Sequence, residues 1–158
     1  MNPFSAGLWC VLGDKATRIK EYYYNGREKA VQRTDEDYCD SVEELAKGYN
    51  IRQIVVDPSA ASFIAALRRR GFTIRKANND VLDGIRRVAV YLKNGNIKIH
   101  RSCVDCIAEF GLYRWDDKAT EDKVIKENDH CCDDVRYFAN TIMKNKIGKS
   151  EYTPVFML

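Results

Sequence analysis

The sequence predicts a single α/β domain in which helices flank a mixed sheet. The chain has 158 residues, 45% of them hydrophobic, which is enough for one core and too little for two ordinary domains. Strand-like and helix-like segments alternate along most of the chain, as in domains where helices pack on a sheet. The N-terminal segment has instead the pattern of a β-hairpin, which adds an antiparallel part.

The hairpin is predicted from two neighbouring segments and the turn between them. Residues 5–12 form an apolar run, and residues 17–24 are rich in β-branched and aromatic side chains. Gly13 and Asp14 lie between them and favour a tight turn, so the two segments predict antiparallel strands. Apolar residues at helical spacing then predict a helix over residues 35–47.

A strand-helix-strand unit is predicted in the middle of the chain. Residues 52–56 favour a short strand that runs directly into Asp57, and residues 60–70 favour the helix after it. A strand over residues 72–75 completes the unit, which implies that its two strands are parallel. Asp57 then stands at the carboxyl end of a strand, where the functional groups of open α/β sheets gather.

The remaining sequence is mostly helical. Apolar spacing predicts helices over residues 81–92, 102–113 and 129–144, and residues 97–99 predict a short strand between the first two. Residues 115–128 are charged and loop-like in composition.

A second group of candidate site residues stands at the start of the last predicted helix. At about 100° per residue, His130, Asp133, Asp134 and Tyr137 fall on one flank of that helix, which gathers an imidazole and carboxylates. Acidic residues are also typical of helix N-termini for electrostatic reasons alone. A lone Asp57 before proline is likewise typical of a helix cap. Periodicity does not choose between Asp133 and Asp134.

Several blocks of sequence stand in a fixed order along the chain. They are Val55-Val56-Asp57-Pro58-Ser59-Ala60-Ala61-Ser62-Phe63, Asn79-Asp80-Val81-Leu82-Asp83-Gly84-Ile85-Arg86, Tyr113-Arg114-Trp115-Asp116, Asn128-Asp129-His130 and Arg136-Tyr137-Phe138. Together these blocks resemble the C-terminal nuclease domain of phage terminase large subunits. The resemblance implies a ribonuclease H-like fold.

The resemblance also implies a metal-dependent DNA endonuclease. In that family, carboxylates bind two divalent ions, Mg²⁺ or Mn²⁺, which activate water and stabilise the leaving oxygen. Matching positions imply that Asp57 is the second catalytic aspartate, Asp133 the third and His130 the histidine before it. Asp134 stands beside them as a candidate additional metal ligand.

One departure from the family pattern is expected. Asn2 and Pro3 match the segment that follows the family's first catalytic strand, so the resemblance implies that this strand and its aspartate are missing. Residues 1–146 are then expected to form the nuclease domain without it, and residues 147–158 a C-terminal tail. Cleavage is expected to be impaired, and the neighbouring strand edges are expected to be unpaired.

The implied partners are double-stranded DNA, an upstream terminase ATPase domain, the portal protein and the small terminase subunit. The net charge is only +3, so DNA contacts are expected from local clusters of basic residues. The candidates are Arg68, Arg69, Arg70, Arg86 and Arg87. No apolar run reaches the roughly 20 residues that span a bilayer, which predicts a protein without membrane contact. The resemblance implies that it acts in the host cytoplasm.

Two alternative interpretations stay open. Cys103 and Cys106, followed by His130, Cys131 and Cys132, have the ligand types of a small zinc site. Their spacing on predicted helices suits packing better, so the six cysteines are expected to be reduced and mostly buried. The other interpretation is a catalytically inactive remnant of the nuclease fold that still binds DNA or portal protein.

Overall fold

The N-terminal hairpin supplies the longest strands in residues 3–112 and 129–147, the part of the chain that the computed structural model describes. Strand β1 (Phe4–Leu12) pairs antiparallel with β2 (Lys15–Tyr24). Gly13 in the turn has a φ of +61°, a left-handed conformation that favours glycine. The predicted hairpin is therefore confirmed.

Helices and short strands alternate after the hairpin, as the sequence predicts. In chain order they are α1 (Gly26–Lys29), α2 (Asp35–Ala46), β3 (Ile54–Val56), α3 (Ala61–Arg69), β4 (Ile74–Lys76), α4 (Leu82–Lys93), β5 (Ile97–Ile99), α5 (Val104–Leu112), α6 (His130–Phe138) and α7 (Lys144–Ile147). A π-helical turn, Ala139–Met143, joins α6 to α7. Within the described ranges, no helix is long and apolar enough to cross a membrane.

Some predicted features lie outside the described residues. These are the charged segment 115–128, the sequence block that begins at Tyr113, and residues 148–158 of the expected C-terminal tail.

The five described strands form two separate sheets. Strand β5 joins β2 in parallel, which gives the order β1-β2-β5. Strands β3 and β4 pair in parallel and are connected by α3, so the predicted strand-helix-strand unit is confirmed. In the described part of the chain, β1 and β3 each have one edge with no strand beside it.

Helices cover both faces of β3, because its side chains alternate between two apolar clusters. Val55 packs against a cluster built from α4, α5, α6 and the π-helical turn. Ile54 and Val56 belong to or pack against a second cluster, built from α2 and α3. Since successive side chains of a strand point to opposite faces, the two clusters lie on opposite sides. The result is helices on either side of a layer of strands.

The cysteines contribute mainly to the apolar clusters. All six are free, and five of them are buried, the exposed one being Cys10. Cys103, Cys106 and Cys131 are fully inaccessible members of the α4–α6 cluster. The expectation of mostly buried thiols is therefore confirmed, and their reduced state stays a prediction.

Helices α4 and α6 approach closely at Gly84. A Cβ atom added there would lie 2.6 Å from both Arg136 Cγ and Asn140 Nδ2, which is closer than non-bonded atoms pack. We expect Gly84→Ala to lower the free energy of unfolding by about 1–3 kcal/mol, because the methyl group overpacks this contact. Urea unfolding followed by circular dichroism measures the change.

Gly111 in α5 is the matched control for this substitution. A Cβ atom there meets no other atom within 4 Å, so Gly111→Ala should raise stability by up to about 1 kcal/mol through helix propensity. Equal effects of the two substitutions would contradict the close packing at Gly84.

Candidate metal centre

Asp57 directly follows β3 and points its carboxylate towards α6. Its Oδ1 accepts hydrogen bonds from the amide and the hydroxyl of Ser59, both at 2.8 Å, and its Oδ2 accepts one from the Tyr137 hydroxyl at 2.9 Å. Burial alone would raise the pKa of Asp57, but these donors outweigh it and lower the pKa. The N-cap of α3 is instead Ala60, which makes no side-chain cap bond. Asp57 is thus a charged carboxylate held in place at the end of β3.

Asp133 lies one helical turn before Tyr137 on α6. Burial raises the pKa of its carboxyl group, although the neighbouring Arg136 guanidinium opposes this. Arg136 Nη2 donates to Asp133 Oδ1 at 2.7 Å, and Arg136 Nη1 donates to the carbonyls of Asn79 and Asp80. The orientation of Asp133 is therefore coupled to the loop between β4 and α4.

Both carboxylates face one groove of about 1400 Å³ between β1 and β3. His130 and Tyr137 line the same groove, so one flank of α6 and the end of β3 meet there. Burial and the hydrogen bond to Asp57 are the main causes that raise the pKa of the Tyr137 hydroxyl, and the charge of Asp133 adds to them. That hydroxyl therefore stays protonated and donates to Asp57.

His130 stands at the first position of α6. Its Nδ1 is 3.1 Å from Asp129 Oδ1, while its Nε2 is inaccessible to solvent and has no hydrogen-bond partner among the described residues.

No group of three or more His, Cys, Asp and Glu side chains within residues 3–112 and 129–147 is placed to hold a metal ion. The described site therefore brings Asp57 and Asp133 to one groove without assembling such a group.

Asp134 is bound differently from its neighbour Asp133. Its two carboxylate oxygens accept hydrogen bonds from the Arg18 guanidinium and from the Ser5 hydroxyl. Burial alone would lower the pKa of the fully buried Arg18, but the charge of Asp134 and its hydrogen bond raise it. Gly7 makes room for this pair, since a Cβ atom there would collide with the guanidinium. Asp134 lines the same groove as Asp133, but both of its oxygens are already bound within the protein, and its predicted role as a metal ligand stays a prediction.

Two buried glutamates hold the N-termini of α5 and α6. Glu21 on β2 accepts hydrogen bonds from the first amides of α5, at 2.8 and 3.3 Å. Glu109 on α5 accepts from the amides of Cys131 at 2.6 Å and Cys132 at 3.4 Å, and from the Tyr23 hydroxyl at 2.9 Å. A carboxylate at a helix N-terminus satisfies unpaired amides and complements the helix dipole. Neither cap was predicted from the sequence, in which the one signal was a lone glutamate within the apolar segment of α5.

The five arginines predicted to contact DNA lie on two helices. Arg70, at the end of α3, makes ion pairs with Glu36, Asp40 and Glu43, and Arg69 pairs with Glu36 as well. Arg69 and Arg70 stand at the C-terminal end of α3, and Asp57 lies near its N-terminal end. The two ends are roughly 13 Å apart along the helix axis.

The other three candidate arginines differ in their exposure and in their contacts. Arg68 is exposed. On α4, Arg86 lies 3.9 Å from Asp83, and Arg87 donates to the side chain of Asn140. Arg70 and Arg87 are thus already bound within the protein.

The sequence matches the family model described as "Terminase RNaseH-like domain" over residues 3–141. The chain belongs to this terminase nuclease family. The match spans both carboxylate-bearing elements, β3 and α6, and nearly all of the described fold.

Solved structures and a curated relative agree with this assignment to the terminase family. The large terminase of a thermophilic bacteriophage, solved in complex with ADP, is 42% identical, with a TM-score of 0.87 over 90% of this chain and 37% of that chain. The terminase large subunit of Escherichia phage T5 is 26% identical over 79% of this chain and 30% of its own length. This chain therefore spans about a third of these terminases.

A more distant structure shares the fold. The nuclease domain of the bacteriophage SPP1 large terminase, solved with bound Mn, is 20% identical, with a TM-score of 0.61 over 86% of this chain and 77% of that chain. The expectation of a ribonuclease H-like fold is confirmed.

Two substitutions in the terminase domain should distinguish the aspartate that holds the hairpin from the candidate metal ligand. They are Asp134→Asn and Asp133→Asn. We expect Asp134→Asn to lower the free energy of unfolding by roughly 3 kcal/mol or more, because it leaves Arg18 buried beside a neutral partner. Asp133→Asn should change it by less than about 1 kcal/mol, since burial raises the pKa of Asp133 and Arg136 keeps the carbonyls of Asn79 and Asp80 as acceptors. Chemical denaturation of both variants without metal measures the difference. A larger loss for Asp133→Asn would contradict these roles.

Proposed function

We propose that this chain is a metal-dependent DNA endonuclease domain of a phage packaging terminase, and that Asp57 and Asp133 bind its divalent ion, Mg²⁺ or Mn²⁺. The observation that carries the proposal is that these two carboxylates, from β3 and α6, face one groove beside Tyr137. The bound Mn in the SPP1 nuclease domain supports the choice of ion.

The donor set suits a hard divalent cation. Carboxylate oxygens are the side-chain ligands that Mg²⁺ and Mn²⁺ favour. A bound ion would polarise a phosphoryl oxygen and make a water molecule more nucleophilic. Tyr137 orients Asp57 by donating to its Oδ2, and Arg136 orients Asp133 in the same way.

His130 is proposed as the third catalytic residue. Its Nε2 has no hydrogen-bond partner in the described part of the chain, and the side chain lines the groove beside Asp133. An imidazole nitrogen without a hydrogen bond is able to accept a proton or to bind a metal ion. The Asp129 carboxylate next to Nδ1 fixes the orientation of the ring.

The proposal also includes cleavage by a two-metal mechanism. This mechanism needs more metal ligands than Asp57 and Asp133 alone. Two ions about 3.5–4 Å apart need several bridging carboxylates, and no group of three such ligands occurs among residues 3–112 and 129–147. We therefore expect the described residues to hold one ion weakly. This shortage also favours the second candidate, an inactive remnant of the fold that binds DNA or portal protein without cutting it.

The wider setting is proposed from the relatives. Residues 1–146 would form the nuclease domain and residues 147–158 a tail, acting on concatemeric double-stranded DNA in the host cytoplasm. The remaining partners would be a terminase ATPase domain, the portal protein and the small terminase subunit. Of the five candidate arginines, Arg68 and Arg69 are the most exposed on α3, so they are the stronger candidates for phosphate contacts.

Removing either proposed ligand should weaken metal binding. We expect Asp57→Asn and Asp133→Asn each to lower Mn²⁺ affinity at least tenfold, because a neutral amide replaces a charged oxygen ligand. Electron paramagnetic resonance titration of free Mn²⁺ measures the affinity, and plasmid nicking in Mn²⁺ measures cleavage. Glu44→Gln is the control, since Glu44 is a 76% exposed side chain of α2.

The outcomes of this experiment separate the two candidates. Mn²⁺ binding that depends on both aspartates, with nicking that the same variants abolish, supports the endonuclease. DNA binding without any metal-dependent nicking would identify the inactive remnant. Unchanged Mn²⁺ affinity in both variants would reject the proposed metal site itself.

The Mn²⁺ affinity should also depend on pH in a specific direction. The ion binds deprotonated carboxylates, and burial raises the pKa of Asp133 while the Ser59 and Tyr137 donors lower that of Asp57. As the pH falls, Asp133 therefore protonates first, and affinity should begin to fall above the pKa of a free aspartate, about 3.9. A titration of Mn²⁺ affinity against pH measures this. A midpoint below the free-aspartate value would contradict it.

A further inference from the structure

The three-stranded sheet β1-β2-β5 has one face that lies away from the α4–α6 cluster. Trp9 and Val11 of β1 pack against that cluster, so Cys10 and Leu12, which alternate with them, lie on the other face. Cys10 is exposed, and Leu12 is 83% exposed. Near the hairpin turn, this second face is therefore open to solvent in the described part of the chain.

Helix α2 covers only the far end of this second face. Phe4 and Tyr24 contact the ring of Tyr38 on α2, with centroid distances of 4.2 and 6.1 Å. Leu8, further along β1, is also buried. We call the remaining part of this face the open face. It consists of Cys10, Leu12, Lys15, Thr17, Lys20 and Lys98.

Three lysines of the open face come together from two strands. Lys15 pairs with Leu12 across β1 and β2, and Lys98 of β5 pairs with Thr17 of β2. Paired residues of neighbouring strands point to the same face. Lys20 stands at the boundary with α2, since its Nζ is 5.0 Å from the centre of a tyrosine ring just after that helix. All three lysines are exposed.

The lysines of the open face have no acidic partner within the described residues. The ion pairs of residues 3–112 and 129–147 include none of the three. Strands β1 and β5 contain no acidic residue, and the one acid in β2, Glu21, binds Arg18 and the first amides of α5. By contrast, Arg70 on α3 is paired with three acidic side chains. The open face therefore suits a polyanion.

We propose that the open face is a second DNA-contact surface, which binds the phosphate backbone of duplex DNA apart from the candidate metal centre. The choice of duplex DNA as the polyanion rests on the proposed function. Exposed lysines contact phosphates as point charges, and such contacts hold a duplex without reading its sequence. β2 extends for roughly 15 Å between Lys15 and Lys20, and one strand of B-DNA presents about five phosphates over that length.

The open face is separate from the groove of the candidate metal centre. The residues that line that groove include none of its six members. Ser5, near the start of β1, binds Asp134 beside the centre, whereas Leu12 ends the same strand roughly 23 Å away. Contacts at the open face are therefore independent of those that place a phosphate at Asp57 and Asp133.

The first test measures binding of a short duplex by fluorescence anisotropy, in EDTA and over a range of sodium chloride concentrations. The triple variant Lys15→Gln/Lys20→Gln/Lys98→Gln removes the three charges. Each lysine that contacts a phosphate contributes about 0.9 to the slope of log affinity against log salt concentration, so this variant should lose roughly 3 from that slope. At low salt, its affinity for the duplex should fall at least about tenfold.

Two controls separate the open face from positive charge in general. The triple variant Lys15→Arg/Lys20→Arg/Lys98→Arg keeps the charges and should keep the salt slope. Lys144→Gln removes an exposed lysine of α7, a helix that packs on the opposite side of the sheet through Ile147, and should leave the slope unchanged. Thermal melting confirms that the variants fold. An equal loss of slope per charge from Lys144→Gln would overturn the assignment, since it would show attraction to any exposed cation.

Cys10 provides a local measure of DNA at the open face. All six cysteines lie in the described ranges, and the other five are buried, so a neutral thiol reagent such as N-ethylmaleimide should modify Cys10 first. Saturating duplex should slow this modification at least about threefold, because it covers the thiol. In the glutamine variant, the same duplex concentration should protect Cys10 less. Mass spectrometry measures the rate of modification.

Two results would each overturn the proposal. One is an unchanged salt slope in the glutamine variant, and the other is modification of Cys10 at the same rate with and without DNA. Unchanged DNA binding together with lost binding of poly-glutamate in that variant would identify an acidic protein segment as the occupant, and would overturn it as well.

The use of EDTA keeps this surface distinguishable from the proposed endonuclease. A protein that shows both expected effects but no Mn²⁺-dependent nicking retains the DNA-contact surface and rejects the endonuclease. Nicking that depends on Asp57, with an unchanged salt slope in the glutamine variant, rejects the surface alone.

Discussion

The buried ion pair between Arg18 and Asp134 fixes the hairpin against α6, and the geometry of the candidate site depends on it. Arg18 is fully inaccessible to solvent, so its charge requires a partner of opposite sign in the same place. Gly7 leaves the space that the guanidinium occupies, and Ser5 completes the contacts of Asp134. Since Asp133 directly precedes Asp134 on α6, the pair that anchors the hairpin also sets the rotation of α6, which places Asp133 in the groove.

Buried carboxylates extend this anchoring through the helices. Glu21 lies within 3.5 Å of Arg18 and also holds the first turn of α5. Glu109, on α5, then holds the first turn of α6. Charge-assisted hydrogen bonds thereby join β2, α5 and α6, which are distant in sequence. Such bonds are stronger and more directional than apolar contacts. Apolar packing supplies the bulk of the core, whereas these bonds select one arrangement of its helices.

Local patterns in the sequence were sufficient to predict most of the fold. The hairpin follows from Gly13 between two strand-like segments, and the helices follow from apolar spacing, since both signals lie within a few residues of each other. The shared flank of His130, Asp133, Asp134 and Tyr137 was likewise predicted from helical spacing, and all four residues line the groove. The metal role of Asp57 and Asp133 was implied by family resemblance and stays a prediction.

The features that were missed depend on contacts between distant residues. Arg18 meets Asp134 across 116 positions of sequence, and Glu109 meets Cys131 across 22. Periodicity carries no information on such pairings, so the contact of Asp134 with the hairpin was not predicted, and its role as a metal ligand stays a prediction. The π-helical turn was also missed, because apolar spacing over residues 129–144 is satisfied by a continuous α-helix.

That π-helical turn has an evolutionary consequence. All five of its residues are buried, and two consecutive polar ones, Asn140 and Thr141, both bind the loop after β4, through the Asp80 carbonyl and the Asn78 amide. A π-turn contains one more residue than an α-turn. Loss of a single residue here would restore a regular α-helix, and because the wider turn holds the extra residue locally, the residues beyond it would keep their facing. The segment therefore accommodates the loss of one residue without a change of register, and aligned terminase sequences that lack this turn should show a one-residue gap at this position.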